Sequence, residues 1–114
     1  MAEKPRVYVA GPYTSGDVAV NVRRAITTGD WLFSLGCIPF VPHFSHFSHL
    51  ILPRPYEDWM EIDLAWLPCC HALFRMSGDS PGADRECSQA TDRGIPVLRT
   101  REELVEWMEL WRSK

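Results

Sequence analysis

The sequence predicts an α/β domain in which helices cover both faces of a parallel sheet. Three observations carry this. Short apolar, β-branched runs alternate with stretches of helical periodicity; the connections between them are short and bear Gly, Pro, Ser or Asp; and no internal repeat or low-complexity tract breaks the alternation. At 114 residues there is room for one domain spanning residues 1–114 and for no second core. The expected architecture is a Rossmann-like three-layer domain with four strands, or five, in the order 2-1-3-4. Right-handed crossovers would then bring the ends of strands 1 and 3 together at the point where the winding reverses.

The elements follow in order. Arg6-Val-Tyr-Val-Ala10 is β-branched and aromatic and runs into Gly11-Pro12, which marks a short buried strand and a turn. The loop 11–16 leads to Asp17 as N-cap of a long helix, with Val18, Val22, Ala25, Ile26, Gly29 and Leu32 at helical spacing and a stop near Gly36. Cys37-Ile-Pro-Phe-Val41 reads as the second strand, and the Pro-flanked stretch 42–55 as an irregular lid or pocket loop. Residues 56–67 are helical and end at Pro68; 71–76 form the third strand. Residues 83–93 form a helix stopped by Gly94, and 95–98 the fourth strand. Thr100 with Glu103 forms the capping box of a last helix. That helix carries Leu104, Val105, Trp107, Met108, Leu110 and Trp111, more apolar surface than a small sheet needs, so part of it is expected to meet a partner chain.

Composition excludes several classes. A net charge of −3 leaves no basic footprint for a polynucleotide. No apolar run approaches membrane-spanning length and the N-terminus has no apolar signal region, so a cytoplasmic location is expected. Cys37, Cys69, Cys70 and Cys87 lack the spacing of a zinc knuckle and are read as buried thiols. His43, His46 and His49 stand three apart and raise a metal reading, but no carboxylate or thiol accompanies them at recognisable spacing. The interleaved Phe44 and Phe47 instead suit an apolar pocket wall with polar edges.

The chemistry concentrates between Asp63 and Glu86. A carboxylate on one helix, a buried strand, a loop with Gly and Ser, and a second carboxylate in the first turn of the next helix would share one side of the sheet. Two carboxyl groups flanking a cavity suit cleavage of a glycosidic bond. One stabilises or attacks the anomeric carbon, and the other protonates the leaving group. A helix N-terminus would favour the ionised form of Glu86.

Tyr8-Val-Ala-Gly11, Asp63-Leu-Ala-Trp-Leu67 and Ser80-Pro-Gly-Ala-Asp-Arg-Glu86, in this order over residues 6–98, resemble the nucleoside 2-deoxyribosyltransferase superfamily. Within it the likeness is greatest to the 2′-deoxynucleoside 5′-phosphate N-hydrolases and small uncharacterised relatives. The resemblance implies a single domain of that type, an N-glycosidase that cleaves the base–sugar bond of a nucleoside 5′-monophosphate without metal or organic cofactor, as a homodimer or higher homo-oligomer. It implies Glu86 as nucleophile forming a glycosyl-enzyme, Asp63 as proton donor or orienting group for the base, and Tyr8 as the residue positioning the nucleophile. Ser80, Gly82 and Gly11 would bind substrate, with Ser80 on a 5′-phosphate. Tyr13 would stack on the base, and Thr14 and His43 would lie near the ligand. The phosphate hydrolases carry a Ser and an Arg in the first loop where this chain has Pro12 and Thr14, so weaker phosphate binding is expected. A transferase using the same adduct and a nucleotide-binding module without turnover are the alternatives.

Overall fold

The computed structural model describes residues 3–114. Strands β1 (Arg6–Ala10), β2 (Ile38–Phe40), β3 (Ala72–Arg75) and β4 (Val97–Leu98) form one parallel sheet in the order β2-β1-β3-β4. The expected α/β architecture and strand order are therefore found, with four strands. β1 is central, and Tyr8 is in register with Phe40 on one side and Leu73 on the other.

Alternation along β1 distributes its side chains between two cores. Val7 and Val9 pack with Phe74 and Met76 against α1 (Val18–Ser34) and α5 (Arg101–Arg112), whose Ala25, Leu32, Leu104 and Met108 are buried. Tyr8 and Ala10 face the opposite way, with Leu73. They meet Leu67, just after α3 (Tyr56–Trp66), and Ala83, Cys87 and Ala90 of α4 (Pro81–Asp92). The helices thus form the outer two layers. Asp17 caps α1 through a bond from the Val20 amide, and the capping box of Thr100 and Glu103 opens α5.

Several local expectations are corrected. Of residues 42–55 only 52–55 are irregular: one turn of 3-10 helix, Pro42–Phe44, runs into α2 (Ser45–Ile51). No Gly or Pro lies between 43 and 52 to stop it. α4 begins at Pro81 rather than at 83, because Ser80 is a good cap and Pro at the first helical position has its φ already set. Glu86 consequently falls in the second turn. β4 is only two residues long, since Pro96 offers its carbonyl to Leu73 but has no amide to donate. Cys37, Cys70 and Cys87 are buried, whereas Cys69 is exposed at the end of the Leu67–Cys69 turn. In α5, Leu104 and Met108 are taken into the core, leaving Val105 and Leu110 exposed. Among the described residues no helix is long and apolar enough to cross a membrane.

Candidate active site

The carboxyl ends of β1 and β3 are neighbours, and the loops leaving them converge. Gly11 lies so close to the chain after β3 that a Cβ there would sit 2.3 Å from Met76 Cε and 3.0 Å from Met76 Cβ. Only a residue without a side chain lets these loops pack. Over this junction lies a cavity of about 320 Å³, at the small end of the roughly 300–1,000 Å³ usual for small-molecule sites. Gly11, Tyr13, Thr14, His43, Asp63, Ser80, Gly82 and Glu86 all line it. Tyr8 lies behind its floor, wholly buried, and its hydroxyl donates to Glu86 Oε2. Residues from four separate stretches of sequence are thus brought together.

The two carboxyl groups are set by burial. Asp63, on α3, is pushed up to about 7 by loss of solvent. Glu86 is pushed up to about 8, chiefly by burial, with the Asp63 charge adding to it and the Tyr8 bond and Arg75 opposing it. The expectation that the dipole of α4 holds Glu86 ionised is corrected. Its second-turn position weakens the dipole, and desolvation outweighs what remains. Tyr8 is shifted upward by burial and by both carboxylates, so it remains a hydrogen-bond donor. In the neutral range the pair Asp63 and Glu86 therefore holds about one proton between them; acid–base work on a leaving group draws on the form in which Asp63 carries it and Glu86 is ionised, the minority form while Glu86 is the weaker acid.

The wall is supplied by the segment after β2. His43 is buried and its Nε2–H donates to the Pro12 carbonyl at 2.9 Å. Burial lowers its pKa, so the ring is neutral, and its buried Nδ1 has no partner among the described residues. The Tyr13 hydroxyl shares a 2.7 Å hydrogen bond with His46 Nδ1. His49 Nδ1 accepts from the Trp59 indole at 2.9 Å and from the Arg54 amide at 3.2 Å. The three histidines therefore diverge to separate partners. Among the described residues, no group of three His, Cys, Asp or Glu is placed to hold a metal.

Ser80 is buried and its Oγ accepts from the Ala83 amide. Several cavity residues were not marked as site residues from sequence, Tyr56 and Trp59 among them; they stand seven and four residues before Asp63 on α3, one helical face, while His49, read there only in the three-spaced histidine series, also lines the cavity. The spacing of 56, 59 and 63 was the available signal. It passes for an ordinary amphipathic stripe.

A family model described as a domain of unknown function (DUF7768) matches residues 5–100. No curated protein sequence matches the chain. Among solved structures, the 2-deoxyribosyltransferase from the psychrotolerant bacterium Bacillus psychrosaccharolyticus is similar, with a TM-score of 0.61 and 20% identity. The match covers 81% of this chain and 69% of that one, and at this identity it shows a shared fold.

Proposed function

The chain belongs to the DUF7768 family, and from that premise we propose that it is an N-glycosidase cleaving the base–sugar bond of a nucleoside-class substrate through a covalent glycosyl-Glu86 intermediate. The observation that carries this is the placement of Asp63 and Glu86 in the wall of one cavity, with the Tyr8 hydroxyl bonded to Glu86. The fold shared with a 2-deoxyribosyltransferase supports it.

In the proposed reaction a carboxylate oxygen of Glu86 bonds to the anomeric carbon as the C1′–N bond breaks. The electron pair of that bond leaves with the base, which takes the proton from Asp63. Tyr8 holds the attacking carboxylate in one orientation and relieves part of its charge before attack. Water then attacks C1′, gives a proton to Asp63, and releases the sugar and Glu86. No metal or organic cofactor enters this scheme. Base release from a panel of nucleosides and their 5′-monophosphates is the test, with Glu86→Gln expected to lose at least about a thousandfold in rate. An unchanged rate in that variant removes the nucleophile assignment.

The shared fold also favours a second reading, in which another base takes the place of water. Base exchange outrunning base release selects it. In either form the proposed setting is the cytoplasm, where four free thiols are at home.

A further inference from the structure

We propose that the substrate is an uncharged nucleoside rather than a nucleoside phosphate, and that the hydroxyl of Tyr56 is the group that holds its sugar. The inference rests on the Glu86-dependent reading above and narrows its substrate. It starts from charge. Among the described residues, no Lys or Arg lines the cavity, while Asp63 and Glu86 both do. The nearest arginines are engaged elsewhere: Arg24 donates to Ser77 Oγ at 2.8 Å, and Arg85 is paired with both oxygens of Glu57. Arg75 donates to Asp84 Oδ1 and to the Met76 carbonyl. A phosphate monoester carries about −1.5 to −2 at neutral pH. In this cavity it would meet a negative carboxylate with no cation opposite.

The backbone compensates little at this helix end. A helix N-terminus holds an anion through its unpaired amides, and α4 offers fewer than most: Pro81 has no N–H, and Ala83 N donates to Ser80 Oγ at 3.1 Å. The first loop has likewise lost an amide at Pro12. The expectation that Ser80 holds a 5′-phosphate therefore gives way, in this proposal, to a neutral ligand.

Tyr56 supplies the neutral partner. Its ring lines the cavity, and its oxygen rests on the first turn of α4, 2.6 Å from where a Cβ on Gly82 would stand. That is four residues, about one turn, before Glu86 on the same helix. The sugar is the part of the substrate bonded to Glu86, so a hydroxyl one turn away reaches the sugar rather than the base. Burial first, and then the charge of Glu86, raise the Tyr56 pKa and keep it a donor. Glycine at 82 is what lets the phenol approach so closely.

The test uses Glu86→Gln, which preserves shape but does not turn over. Calorimetric titration with nucleosides and with the corresponding 5′-monophosphates should give at least about tenfold tighter binding of the nucleoside. Equal or tighter binding of the monophosphate overturns the proposal, as does absence of binding by either. Tyr56→Phe in the same background should weaken nucleoside binding about tenfold. Gly82→Ala should do the same by displacing the phenol, and should add little once Tyr56 is already Ala. Unchanged affinity in Tyr56→Phe overturns the role of the hydroxyl. A nucleoside that binds as expected but is never cleaved by the wild-type protein refutes the N-glycosidase reading and leaves the substrate class standing.

Discussion

At the scale of single residues the site is governed by desolvation acting on two acids. With Asp63 near 7 and Glu86 near 8, the pair carries one proton only over a narrow window. A bell-shaped dependence of kcat/KM with its optimum between about pH 7 and about pH 8 is expected from a pH–rate series. Asp63→Asn removes both the proposed proton donor and the charge that adds to the rise of Glu86. The ascending limb should move to lower pH, the descending limb should vanish, and kcat should fall by about 10²–10⁴. The same shifts act on stability, and their sign is opposite to that of the usual surface carboxylate. The folded pKa of Glu86 lies above its ordinary 4.5, so between about 4.5 and about 8 the folded state binds more protons than the unfolded one. Stability from this group is fully present below the lower value and is lost as pH rises through the higher. Urea midpoints should therefore fall between pH 5 and pH 8, by an amount on the order of a few kcal/mol in ΔG. In Glu86→Gln the fall should be smaller, with Asp63 supplying the remainder.

At the scale of elements, the site depends on loops that pack too closely for side chains. Gly11→Ala would place a methyl 3.0 Å from Met76 Cβ, a backbone-anchored atom that cannot swing aside as Met76 Cε can. A loss of about 1–3 kcal/mol in chemical denaturation is expected, together with reduced activity, because the moved loops carry the cavity wall. The strands, the helix caps at Asp17 and Thr100 and the convergence of the loops after β1 and β3, expected over 11–16 and 77–82, were legible in the sequence, because each is set by periodicity or by a residue with one strong local preference. α2 was not legible. Its seven residues are all at least partly exposed, so tertiary burial leaves no stripe to read, and flanking prolines suggested a loop. The ionisation of Glu86 was misjudged for a related reason. A helix terminus is visible in sequence, whereas burial of a carboxyl by β1, α3 and α4 is a property of assembly.

For the molecule as a whole, the exposed apolar residues cluster unevenly. Phe44, Phe47, Leu50, Ile51 and Leu52 stand together at and around α2, each more than half exposed, whereas α5 leaves only Val105 and Leu110 outside. The self-association expected from the sequence would thus be served by α2 more than by the last helix. Sedimentation velocity at micromolar concentration should find a dimer or larger species, and Leu50→Glu combined with Ile51→Lys should convert it to monomer. A wild-type protein that sediments as a monomer of 13.1 kDa at all concentrations rejects the assembly.

Because Val7 and Val9 serve one core while Tyr8 serves the other, a one-residue slip of the central strand would send an aromatic hydroxyl into the α1–α5 layer and a valine toward Glu86. Correct threading and the bond from Tyr8 to Glu86, the proposed nucleophile, are then a single event. Titrations of refolded material should recover working sites in proportion to native molecules, with no intact but inert fraction between them.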